Sequence, residues 1–177
     1  IMAYTTINNP SATAFNTKLY TGNGGTQSIT GVGFQPDWVW LKIRSDTANH
    51  HLYDSVRGVQ KRINSNTTNV EATSANNLTS FNSDGFTLGS ESDINQNSST
   101  YASWNWKANG AGSANTDGSI NSTVSVNQTA GFSIVKWTGT SATGTVGHGL
   151  NSVPKTVWVK SLANAEGMYT YWQPLGN

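Results

Sequence analysis

The sequence predicts an all-β protein, a β-sandwich or jelly roll, and three observations carry that prediction. Asn, Ser and Thr make up 65 of the 177 residues, a composition that disfavours long helices and suits strands joined by tight turns. Apolar residues alternate with a period of two from Trp38 to Arg44, placing Val39, Leu41 and Ile43 on one face and Trp38, Trp40 and Lys42 on the other. Finally, the stretch Pro36-Asp37-Trp38-Val39-Trp40-Leu41-Lys42 returns as Pro154-Lys155-Thr156-Val157-Trp158-Val159-Lys160, at an offset of 118 (154 − 36). That spacing is too long for a solenoid and points to a duplicated strand–loop–strand unit. Tyr20-Thr21-Gly22 answers Trp137-Thr138-Gly139 at 117 (137 − 20), and Gly33-Phe34 answers Gly149-Leu150 at 116 (149 − 33).

Residues 1–14 are polar with few apolar anchors and read as an N-terminal docking arm. A first repeat copy spans 15–108. It opens with a strand over Phe15–Thr21, closed by Gly22-Asn23-Gly24-Gly25 as a hairpin turn to a partner strand at Gln27–Val32. Bulky side chains on both faces make Trp38–Arg44 a central, covered strand. Further strands are expected at His50–Val56 and around Lys61–Ile63. Leu78–Phe81 and Phe86–Leu88 flank an Asp84-Gly85 hairpin turn, and a polar loop runs from Gly89 to Ser99. Tyr101–Ala108 is the last strand of this copy. Residues 109–118 are Gly, Ala, Ser and Asn with almost no apolar content, a linker or long loop. The second copy, 119–177, holds strand candidates at Ser119–Val126, Phe132–Trp137, Thr143–Val146 and Thr156–Ser161. Met168–Trp172 begins what His50–Asp54 is in the first copy. This second copy is incomplete, either packed on the first or cut from a longer chain.

Composition excludes several functions. Charged residues are 11% of the chain, the net charge is +1 and the basic residues are scattered, which leaves no stripe to neutralise a phosphate backbone, so no nucleic-acid binding is expected. The chain has no cysteine, hence neither disulfides nor thiolate metal sites. No apolar run approaches a membrane span, so no membrane insertion is expected. No catalytic signature of the HExxH, GxSxG or P-loop kind is present. His50 and His51 are adjacent and, as strand residues, point to opposite faces, so they cannot share one metal. Asp54 with Arg57 reads as a structural ion pair at a strand end in preference to an acid–base pair. Asp84, Asp93 and Asp117 sit in turn-forming surroundings, and no carboxylate pair is placed for glycoside hydrolysis. Calcium is an open use for Asp84, Glu91 and Asp93, but their spacing fits no loop motif. No cofactor is implied.

Aromatic residues remain as the means of recognition. Period-two tryptophans such as Trp40, Trp106 and Trp158 are expected in the core. His50, Tyr53 and Tyr101 are expected to be exposed. Together with Asp54, Arg57 and Trp104 they form the candidate ligand-binding set: His50, Tyr53, Asp54, Arg57, Tyr101 and Trp104.

Several stretches carry a family resemblance. They are Tyr20–Gly22 with Ser28–Lys42, His50–Gly58, Phe81–Gly89, Tyr101–Ala108 and Thr129–Val135, and the opening Met2–Ile7 also fits. The pattern resembles tail-fibre-like or virion structural proteins of tailed phages infecting marine bacteria, of the cyanophage and pelagiphage type. The resemblance implies a lectin-like β-sandwich on the exterior of a virion, in a tail fibre, appendage or capsid decoration. It implies a virion structural protein with non-catalytic glycan binding for host adhesion. The alternatives are a capsid or tail decoration or connector protein with no ligand, and a glycan-degrading enzyme. The expected partners are further copies of the chain in a homo-oligomer such as a trimer, other virion proteins through the N-terminal arm, and host surface glycan.

Overall fold

The computed structural model describes residues 13–173. The expected docking arm lies outside them except for Thr13 and Ala14. The chain is all-β, as its composition predicts. Its first half runs β1 (Phe15–Thr21), β2 (Gln27–Ile29), β3 (Trp38–Ile43), β4 (His51–Asp54), β5 (Lys61–Asn64), β6 (Ala72–Thr73), β7 (Leu78–Asn82) and β8 (Gly85–Leu88). A short helix α1 (Ser92–Asn95) and β9 (Thr100–Trp106) complete it. The second half holds β10 (Ser113–Asn115), β11 (Ser122–Asn127), β12 (Phe132–Trp137), β13 (Thr156–Lys160) and β14 (Met168–Trp172).

The main sheet is ordered β1-β9-β3-β4-β5-β6. Strand β9 lies between β1 and β3 and is antiparallel to both, with Trp104 opposite Thr17 on one side and Trp40 on the other. A second sheet, β2-β8-β7, covers one face. Between them lies the core of Ile29, Val39, Leu41, Tyr53, Leu78, Phe86, Leu88 and Ile94. The alternation in β3 is as predicted: Val39, Leu41 and Ile43 are buried and Trp38 and Trp40 half-buried on the opposite face.

Four expectations need correction. Gly22–Gly25 does not close a hairpin, because β1 pairs with β9 and β2 with β8. The turn carries the chain from one sheet to the other, held by the buried Asn95: Gly24 N donates to Asn95 O (2.8 Å) and Asn23 N to Asn95 Oδ1 (3.0 Å). Gly22 is required there for close approach, since a Cβ would meet Gln96 O at 2.2 Å. The polar loop after Gly89 contains α1. The expected linker contains β10, an edge strand pairing Ser113 with Val124 and Asn115 with Ser122. Its Ser and Ala side chains are exposed, so no apolar periodicity marks it. Thr143–Val146 forms no strand, only a parallel bridge from Val146 to Ile120.

The duplication holds to the level of register. In the first copy Trp38 pairs with Asp54 and Leu41 with His51; in the second Thr156 pairs with Trp172 and Val159 with Tyr169. All four positions are shifted by 118 (156 − 38, 172 − 54, 159 − 41, 169 − 51). Hydrogen bonds repeat too. Ser55 N donates to Asp37 O and Gln173 N to Lys155 O, each at 2.9 Å. Asn16 Nδ2 donates to Val32 O (2.9 Å), and Ser133 Oγ does the same for His148 O (2.6 Å).

The second copy packs on the tryptophan face of the main sheet. Trp158 meets Trp40 edge-on with ring centroids 5.7 Å apart, and Phe132 stacks on Trp106 at 6.2 Å. Cover differs sharply between the copies. Tyr53 is fully buried in the first, whereas its counterpart Tyr171 is 36% exposed. Tyr53→Ala should therefore cost about 3–5 kcal/mol in chemical denaturation and Tyr171→Ala less than about 1 kcal/mol. Equal costs would contradict the asymmetry.

Candidate functional site

The six residues singled out from the sequence do not form one site. Strand alternation sends Tyr53 and Tyr101 to the core face, where both are fully buried, against the expectation of exposure. Tyr53 Oη donates to Asn77 Oδ1 (3.1 Å), and burial pushes its pKa up. Tyr101 stacks on Tyr20 with ring centroids 5.0 Å apart and donates to Ser92 O (2.9 Å) while accepting from Gln96 N (2.8 Å). It thereby anchors both ends of α1 to the main sheet.

Asp54 and Arg57 are buried as an ion pair, with Arg57 Nε donating to Asp54 Oδ2. The guanidinium also reaches Lys61 O (3.0 Å), Leu52 O (3.1 Å) and Glu71 Oε2 (3.1 Å). One arginine thus ties the end of β4 to β5 and to the segment before β6. Removing the side chain leaves the buried Asp54 carboxylate without its countercharge, with the backbone N–H of residue 57 as a remaining donor, so Arg57→Ala should destabilise by about 3–5 kcal/mol, read as a lowered denaturation midpoint.

His50 and Trp104 do come together, on opposite sides of Trp40. Trp40 Nε1 donates to His50 Nδ1 (2.8 Å), and its ring lies edge-on to Trp104 at 6.1 Å. Partial burial and the nearby Lys42 lower the His50 pKa, which suits a ring that accepts at Nδ1. Trp158 joins the same cluster from the second copy.

Two of the three carboxylates considered for calcium, Asp84 and Asp93, have partners within the fold. Asp84 accepts from Gly31 N (2.8 Å) and Gly33 N (2.6 Å), two glycines with positive φ, and these bonds lower its pKa. Asp93 lies 3.2 Å from the buried His51 Nε2. Among the described residues no three metal-binding side chains gather.

What the sequence reading missed is the exposed aromatic surface of the second copy. Trp137, Val157, Trp158, Tyr169, Tyr171 and Trp172 are between 36% and 62% exposed. Val157 and Val159 pair with Tyr171 and Tyr169 on one face of the hairpin; Thr156 and Trp158 pair with Trp172 and Thr170 on the other. Trp158 is 43% exposed, against its expectation as core. The signal was available: a repeat that keeps a packing pattern without the elements that cover it must leave apolar residues in water. A groove of about 530 Å³ between the copies, lined by Phe15, Trp106, Lys107, Asn127 and Phe132, adds a further concavity.

The chain belongs to the family described as domain of unknown function (DUF7483), whose pattern matches residues 10–177. The matched span takes in both repeat copies, so the second hairpin lies within the family's unit. No curated protein matches the chain, and no solved structure matches it.

His51 makes the protein pH-sensitive. Burial first, then the charge of Arg62, lowers its pKa to about 4, with Asp93 opposing the shift. The unfolded value is about 6.5, so the folded state binds this proton less readily than the unfolded one. The contribution is complete above about pH 6.5 and is lost as pH falls towards 4, with a ceiling on the order of 3 kcal/mol. The melting temperature should fall across that window, and less steeply in His51→Gln. Parallel curves for the two proteins would remove His51 from the account.

Proposed function

We propose that this protein is a non-catalytic structural component of a virion exterior, of the tail-fibre or appendage kind, which binds through the aromatic surface of its second repeat copy. The observation that carries the reading is the contrast between the two hairpins. The first is closed by its own sheet, and the second, in the same register, presents Val157, Trp158, Tyr169, Tyr171 and Trp172 to solvent. Large apolar side chains exposed on both faces of one hairpin mark it as an interaction site. Three carboxylates that could have served acid–base chemistry have scaffold partners: Asp54 with Arg57, Asp84 with the Gly31–Gly33 turn, Asp93 with His51.

A saccharide is the second occupant to consider, and Tyr169 with Tyr171 is the observation that favours it. They stand on one strand face with Tyr169 Oη donating to Glu166 Oε2 (3.0 Å), which offers a ring surface beside polar groups. Such binding would draw on stacking and neutral hydrogen bonds and would depend little on salt.

The test is a binding screen of the intact chain against a panel of purified bacterial surface polysaccharides, with Tyr169→Ala/Tyr171→Ala beside it. Saturable binding that persists in 0.5 M salt, about tenfold weaker in the double variant and without product release, is expected for the adhesin form of the reading. Released oligosaccharide would overturn the non-catalytic assignment. Absence of binding, together with incorporation into particles that the double variant loses, would leave the structural role without a glycan.

A further inference from the structure

In the first copy β9 fills the space between β1 and β3. The second copy repeats β1 as β12 and the β3–β4 hairpin as β13–β14, yet no described strand stands between β12 and β13. Strand β12 ends the β10-β11-β12 sheet, and β13 has β14 as its one partner in a two-stranded sheet. Both strands that flank β9 in the first copy therefore have an edge strand as counterpart in the second.

Backbone alternation identifies which groups are open. In β3, Ser55 N bonds Asp37 O (2.9 Å) and Arg44 N bonds Thr100 O (2.7 Å). Antiparallel pairing alternates sides residue by residue, so Val39 and Leu41 bond β4 while Trp38, Trp40 and Lys42 turn their N–H and C=O to β9. Gln173 N bonds Lys155 O, which sets the same alternation in β13. The backbone groups of Thr156, Trp158 and Lys160 are thus presented on the edge away from β14. The first copy touches this edge at its far end, where Glu71 N donates to Leu162 O (3.0 Å). Side chains agree with the backbone. Trp40 is flanked by Trp104 of β9, whereas Trp158, at the equivalent place, is 43% exposed.

We propose that the edge of β13 accepts, in trans, an extended strand of the β9 type from a partner polypeptide, paired antiparallel to β13. This rests on the reading of the second copy as the interaction surface and names its occupant. The first copy specifies the strand's chemistry: an aromatic residue where Trp104 stands, to cover Trp158, with small or polar residues such as Ser103 and Asn105 on the opposite face. Main-chain hydrogen bonds supply affinity and the tryptophan supplies register. An edge strand with unpaired groups is a template for such addition.

The test adds the synthetic peptide Thr-Tyr-Ala-Ser-Trp-Asn-Trp-Lys-Ala, the sequence of residues 100–108, to the intact chain and follows amide hydrogen exchange. Saturable one-to-one binding should slow exchange at Thr156, Trp158 and Lys160 at least tenfold. It should leave Val157 and Val159, already bonded to β14, unchanged. Thr156→Pro removes one edge N–H at a position where proline is tolerated, and should weaken binding about tenfold without lowering the melting temperature. A scrambled peptide should not bind. Equal protection by the scrambled peptide, or no protection at Trp158, overturns the proposal. So does concentration-dependent protection of the same amides without peptide, with a dimer in sedimentation, because the occupant is then a second copy. Polysaccharide binding that persists while the peptide fails would sink this inference and leave the function proposed above standing.

Discussion

The structure depends on the insertion of one late strand between two early ones. Strand β9 cannot join the sheet until the chain has run from β3 through the β7–β8 hairpin, yet it supplies the backbone partners for both β1 and β3. Its core face adds Tyr101, which clamps α1 and stacks on Tyr20, and its outer face adds Trp104 and Trp106. Pairing across such sequence distance is entropically costly, and it is sustained by burial on both faces of the sheet. The same strand then provides the tryptophan surface on which the second copy docks.

The two copies show how one sequence pattern gives a closed structure in one setting and an open one in another. The hairpins agree in register, and so do the tethers from Asn16 and Ser133, although amide has been exchanged for hydroxyl. Residues that lost their neighbours changed character less than their surroundings did: Tyr171 remains an aromatic where Tyr53 is fully buried. Burial by neighbours, not residue type, decides whether such a side chain is core or surface. In the function proposed above, the exposed aromatic hairpin is the surface that meets a partner, which joins the fold to that role.

Much of the fold was legible from residues. The alternation through Trp38–Arg44 gave β3 its two covered faces, the Asp84-Gly85 turn gave the β7–β8 hairpin, and the offset of 118 gave β13–β14 before any pairing was seen. The Asn-Gly turn after β1 misled because local turn chemistry does not know that Asn95, some seventy residues on, will hold it for a crossing between sheets. Strand β10 was hidden because an exposed edge strand has no apolar face to show. The site was less legible still. Tyr53 and Tyr101 look like recognition residues by type, but their register places them on the core face, and register comes from long-range pairing. The exposed set in the second copy follows from what the repeat lacks, which a search for chemical motifs passes over.

The most direct measurement is residue-resolved amide exchange of the chain by itself, comparing β3 with β13. Trp38 through Lys42 should be protected without alternation, since this part of β3 is bonded to β4 on one side and to β9 on the other. In β13 the account predicts protected amides at Val157 and Val159 and rapid exchange at Thr156, Trp158 and Lys160. Uniform protection along β13 at low protein concentration would mean that its edge is already closed, and would contradict the claim that the second copy is an open form of the first.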